Sequence, residues 1–348
     1  MKSAHRMKVC KCDILKNFSP AWFASVMGTG IVAVTTKIYS AYIPYIRPLS
    51  SVLLFANTVL FFILLIPWLL RWIYFPDHAL ADLKHPITSN FYATLPVGML
   101  VLSVDYVIIG SNQALAKVFW LAGSVLTFFF GVLTPYIMFK GEHVKIDHIN
   151  PAWFIPPVGL IVIPISGSML LNDFHGIMYE FALLLNYIGW GAGFFIYLSL
   201  LSLCIYRFIL HTPLPNILAP TVWINLGPIG AGTVALINLV KYSGFIQIKG
   251  PLFVFSLIFW GFGIWWVIIA ILLTIHYIRK LSLPYALSWW AFTFPLGAYV
   301  SASHAVSTIL NIHVIDYIGF SLYILLLFLW AITSATTLRH LINGDLFV

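Results

Sequence analysis

The sequence predicts an all-α integral membrane protein: ten transmembrane helices, paired as five helical hairpins in a quasi-fivefold ring around a central pore. Three observations carry that reading. Hydrophobic residues make up 61% of the chain against 8% charged, with a mean hydropathy of +0.98, a balance that a water-exposed globular domain does not sustain. Apolar stretches of about 20 residues, the length that crosses a bilayer, recur along the whole chain. Prolines, glycines and hydroxyls gather in every second stretch, so the stretches are of two kinds.

The spans lie near 20–36, 50–72, 87–109, 115–139, 152–171, 178–207, 219–240, 251–278, 285–308 and 314–338. The connections between them are short, so neighbours form antiparallel hairpins. Residues 1–19 read as a basic cytoplasmic tail without the apolar core of a signal peptide, 20–340 as the transmembrane domain, and 341–348 as a second short cytoplasmic tail.

Charge sets the orientation. With both termini on one side, that side carries 13 of the 18 Lys and Arg, and the opposite side keeps Lys37, Arg47, Lys117, Lys241 and Lys249. Positive loops stay in the cytoplasm, so both termini are expected there, in a multi-pass protein of the cell membrane.

The odd-numbered spans hold the prolines: Pro20, then Pro86 and Pro96, then Pro151, Pro156, Pro157 and Pro164, then Pro220 and Pro228, and finally Pro284 and Pro295. Even spans hold only Pro67 and Pro135. A proline frees a backbone carbonyl that lipid cannot satisfy, which puts the odd helices inside. Pro20, Pro96, Pro156, Pro228 and Pro295 are the expected kink positions. The phrase Pro20-Ala21-Trp22-Phe23 returns as Pro151-Ala152-Trp153-Phe154, with Gly28 and Gly159 each eight residues after its proline, as internal duplication would leave it. Each odd span begins on the cytoplasmic side, so the five inner helices are parallel. Such a ring leaves an axial hole; a solid bundle packed on small residues is the alternative.

The expected lining is polar and uncharged: Ser25, Thr29, Thr94, Ser166, Asn225, Thr293 and His304. Each hydroxyl also has a plainer use, a bond to the carbonyl one turn back. An interior without carboxylates disfavours a cation path or proton relay and leaves small anions as the cargo, drawn by the inner-helix N-termini and the basic cytoplasmic loops. The composition excludes disorder and nucleic-acid binding. Cys10, Cys12 and Cys204 have no ligand partners at a zinc spacing, so no metal is expected. No cofactor or catalytic role is expected either. A haem or quinone subunit of an electron-transfer enzyme is the reading from another class; it needs facing histidines, and only His304 stands well inside a span, with His276 near an end.

Several motifs, in order, resemble one family. They are Phe18-Ser19-Pro20-Ala21-Trp22-Phe23 through Gly28-Thr29-Gly30; His85-Pro86 with Phe91; Pro151-Ala152-Trp153 with Pro156; Pro220-Thr221 with Gly227-Pro228; and Trp289-Trp290-Ala291-Phe292-Thr293-Phe294-Pro295. Together they resemble the tellurite-resistance and dicarboxylate transporter family, which includes yeast malate permeases, bacterial tellurite-resistance proteins and plant slow-type anion channels. The resemblance implies five hairpins about a central pore, a homotrimer with one pore per subunit, and passage of small anions such as malate, chloride, nitrate, sulfite or tellurite. It also implies a pore gate, a phenylalanine on the ninth helix, which falls at Phe294; Phe292 is its nearest competitor among 28 phenylalanines. A proton-coupled dicarboxylate carrier is the alternative, with His304 as the one titratable group in the path.

Overall fold

Each of the five proline-bearing stretches enters its helix through a tighter coil. The structure, a computed structural model, describes residues 11–141, 144–344 and 346. Residues 1–10 of the expected first tail, with Cys10, and residues 345, 347 and 348 of the second lie outside the described residues, as does the Cys12 side chain. A short α1 (Lys11–Lys16) leads to a 3-10 turn over Pro20–Phe23 and then α2 (Ala24–Tyr39). The long α3 (Arg47–Tyr74) returns and is followed by the short α4 (Pro76–Lys84). The pattern repeats as a 3-10 turn over Thr88–Ala93, α5 (Thr94–Asp105) and α6 (Gln113–Lys140). It repeats again as Pro151–Phe154, α7 (Ile155–Met169) and α8 (Ile177–Leu210), and as Asn216–Asn225, α9 (Leu226–Tyr242) and α10 (Gly250–His276). The last unit is Leu287–Phe292, α11 (Phe294–Leu310) and α12 (His313–Asn343). No strand occurs among the described residues.

The doubled phrase has a local explanation. Pro20 and Pro151 each stand at the first position of a 3-10 turn, where their missing N–H would have had no acceptor. The residue before each caps the turn: Ser19 Oγ accepts from the Ala21 N–H at 3.2 Å, and Asn150 Oδ1 accepts from the Ala152 N–H at 2.9 Å. Pro96, Pro156, Pro228 and Pro295 fall within the first turn of their α-helices, where the coil relaxes from 3-10 to α. All five expected kink positions therefore stand at helix entries, and none lies in a helix interior.

Among the described residues, nine helical stretches are long and apolar enough to cross a membrane. The expected ninth span is divided. Pro295 has no N–H to offer the Ala291 carbonyl, and Thr293 departs from helical geometry at φ −100° and ψ −73°, leaving α11 with 17 residues, or about 26 Å at the rise of an α-helix.

The two kinds of helix separate as the prolines indicate. In the apolar windows of the stretches containing α2, α5, α7 and α9, 67 to 89% of residues are buried, against 22 to 44% in those of α3, α6, α8, α10 and α12; α11 is buried from Phe294 through Ser303. The buried helices touch in cyclic order: α2 on α5, α5 on α7, α7 on α9, α9 on α11, and α11 back on α2. Two glycines set the closeness of this packing. A Cβ on Gly230 of α9 would strike the backbone of Ala298 and Tyr299 on α11, and one on Gly297 of α11 would strike the Ile31 side chain of α2.

Candidate transport site

The cyclic packing leaves two cavities along its axis. The one at the entry ends, about 40 Å³, takes residues from all five units, among them Met27, Phe91, Thr94, Ile155, Thr221 and Phe294. The other, about 180 Å³, lies towards the far ends, again between all five inner helices, with Ile31, Val101, Val162, Asn238, Ser301 and His304 in its wall. Phe294 is the one residue that lines both. Its position follows from the break at Thr293, since the residue before a proline is held away from regular helical geometry. Phe292 is built into the wall instead: its ring packs edge-on against Trp223 at 5.7 Å and against Trp289 at 5.9 Å, and it lines neither cavity.

Of the seven expected lining residues, the structure brings Thr94 to the first cavity and His304 to the second; Ser25, Thr29, Ser166, Asn225 and Thr293 line neither. Most of the hydroxyls serve the backbone. Ser25 donates to the Trp22 carbonyl at 2.7 Å, Thr293 to that of Trp290 at 2.7 Å, and Thr94 to those of Phe91 and Pro20, both at 2.7 Å. Thr29 accepts from the Trp330 indole at 3.2 Å, Ser166 is fully buried, and Asn225 is buried beside Tyr197. The cavity walls are consequently apolar for the most part.

The expectation of a carboxylate-free interior needs correcting. Asp105, at the end of α5, is fully buried and accepts from the Asn57 amide at 3.4 Å; Asp316, on α12, is 8% exposed. Hydropathy assigns both to span ends, but the helices and their neighbours extend far enough to cover them. Both stand behind the cavity walls, which contain no carboxylate among the described residues. Asp316 is the functionally telling residue that sequence reasoning missed. Its Oδ1 lies 3.0 Å from Nδ1 of His304 and accepts from the Tyr39 hydroxyl at 3.3 Å, while Oδ2 accepts from Tyr42 at 2.8 Å. A signal was present: Asn311 makes the left-handed turn between α11 and α12 at φ 57°, so residues about equally far on either side of it face each other.

Electrostatics at the entry cavity follow from helix direction. All five inner helices start there, so the unsatisfied N–H groups of five first turns converge on one end, a field that favours negative charge. No cluster of three or more metal-ligating side chains occurs among the described residues.

Comparison with known proteins decides the class, because residues 17–338 match the voltage-dependent anion channel family. The chain belongs to that family. It is 57% identical to an uncharacterized transporter of Methanocaldococcus jannaschii over 97% of each chain. It is 24% identical to a sulfite efflux pump of Arthroderma benhamiae, over 96% of this chain and 93% of the pump. It is 20% identical to the malic acid transport protein of Schizosaccharomyces pombe, over 95% of this chain and 80% of that protein. This is the family that the ordered motifs of the sequence resemble. Like the relatives in the voltage-dependent anion channel family, the chain is a multi-pass membrane protein, and the activity of the family is the transport of anions.

Proposed function

We propose that the chain passes small anions along the axis of its five inner helices, from the entry cavity past Phe294 into the larger far cavity. One observation carries the reading: two cavities, each walled by all five inner helices, share a single residue, and that residue is the phenylalanine the family's motif singles out. In the closed state the Phe294 ring separates them, and its displacement joins them. The transmembrane unit runs over 20–340, both termini face the cytoplasm, and the assembly is a homotrimer in the cell membrane with one path per subunit. Inorganic oxyanions and four-carbon dicarboxylates are the substrate classes, in keeping with a sulfite pump and a malic acid transport protein among the relatives. An apolar wall with few fixed polar groups discriminates weakly between them.

Flux of malate, chloride, nitrate and sulfite into liposomes, compared at fixed voltage with and without a proton gradient, tests this reading. Voltage-driven flux without a gradient is the expected result. Flux that demands the gradient would replace it with the proton-coupled carrier, for which His304 in the cavity wall is the supporting residue.

A further inference from the structure

The far cavity is almost featureless chemically. Among the described residues that line it, polar side chains come only from Asn238, Ser301 and His304, and His304 alone can titrate. Asn238 is already engaged, donating its amide to the Ile165 carbonyl at 2.9 Å. His304 is held differently. Asp316 takes its Nδ1 at 3.0 Å and is itself fixed by the Tyr39 and Tyr42 hydroxyls, so the carboxylate is clamped from three directions. A carboxylate on Nδ1 fixes the ring's tautomer and orientation and leaves Nε2 as its open polar atom.

Resting on the transport reading above, the geometry points to a further site: His304, positioned by Asp316, is the anion-coordinating group of the far cavity, and its protonation opens that site to small anions. The charge balance gives the direction. With a neutral imidazole, Asp316 leaves a net negative charge behind the wall, which repels an arriving anion. With the imidazolium present the pair is neutral and Nε2–H donates into the cavity, so anion occupancy rises as pH falls through the range where imidazoles titrate.

The surrounding groups leave this assignment intact. From α2 and its C-terminal turn come Tyr39, whose ring centroid lies 6.0 Å from that of His304, and Tyr42. The bond to Asp316 and partial burial push the Tyr42 phenol up to about 12, so it remains a donor throughout the working range. From α12 come Asp316 and Tyr323, the latter bonded to Thr36 at 3.0 Å. From α10 comes Trp260, whose indole bonds Ser303 at 2.9 Å. Lys37 and Lys241 sit in the last turns of α2 and α9, with the Lys241 ammonium 5.0 Å over the Tyr242 ring.

The test is chloride current through the purified full-length protein in a planar bilayer at fixed voltage, with pH stepped from 8 to 5.5 equally on both sides so that no gradient drives coupling. The wild type is expected to conduct severalfold more at the acid end. His304→Gln is expected to lose that rise while keeping a current, and Asp316→Asn to keep the rise but move its midpoint to lower pH, a displacement that a merely structural role would not produce. His313→Gln, an exposed histidine at the start of α12, is expected to leave the profile unchanged. A wild-type rise that survives in monodisperse His304→Gln would overturn the inference, as would a flat wild-type profile. Absence of chloride current at every pH would instead sink the transport reading, and this inference with it.

Discussion

The hydroxyl of Thr94 donates to the carbonyl of Pro20 at 2.7 Å, tying the first turn of α5 to the first residue of the lead-in to α2. Both partners are buried, so removing the donor leaves a carbonyl without water or protein to satisfy it. Thr94→Val is expected to destabilise the protein by about 1–3 kcal/mol, read as a lower midpoint in thermal unfolding in detergent. A midpoint equal to wild type would show that the two helix entries are not coupled through this bond.

Phe294→Ala removes the ring shared by the two cavities. Anion current in a planar bilayer is expected to rise on the order of tenfold, the factor that about 1.4 kcal/mol off a barrier supplies. Phe292→Ala provides the contrast: it deletes a wall ring between Trp223 and Trp289, so it is expected to cost stability without a comparable gain in current. Reversal of the two phenotypes would transfer the gate to Phe292.

Gly230 lies against the backbone of α11, which cannot give way as a flexible side chain can. Gly230→Ala is expected to cost about 1–3 kcal/mol by pushing α9 off α11, whereas Gly261→Ala, with open space around the added methyl, is expected to be tolerated. Thermal unfolding of both variants measures the difference.

Tyr42 offers a spectroscopic check on the network around Asp316. Its phenol, pushed up to about 12 in the folded protein by the Asp316 bond and then by burial, lies above the ordinary tyrosine value of about 10. A raised value means that the contribution is fully present below about pH 10 and is lost as pH rises through about 12. Tyrosinate absorbance, taken as the difference between wild type and Tyr42→Phe, is expected to show this late ionisation. In an Asp316→Asn background the same difference is expected to move down towards pH 10.

Membrane class and the division into buried and lipid-facing helices were legible in the sequence, because both rest on composition: bilayer hydrocarbon demands apolar length, and proline carbonyls demand a protein interior. The doubled Pro-Ala-Trp-Phe phrase was likewise legible as a helix entry, though not its 3-10 geometry or the caps at Ser19 and Asn150. The lining was read less well. Ser25 and Thr293 count as polar in any window, yet each spends its hydroxyl on a carbonyl three residues back and presents nothing to a passing ion. The Asp316–His304 pair escaped notice for the opposite reason, since hydropathy treats an acid at a span start as solvated, whereas Tyr39 and Tyr42 cover it from another hairpin.

A barrier consisting of one aromatic side chain has a consequence for speed and for leakage. Side chains change rotamer in picoseconds to nanoseconds when free, while shifts of packed helices take microseconds to milliseconds. With Phe294 as the shared wall, opening asks for a swing about two bonds and leaves the surrounding scaffold of glycine-packed helices undisturbed. The idle molecule is then an electrical insulator that the cell can keep in its membrane at high copy number without draining its voltage.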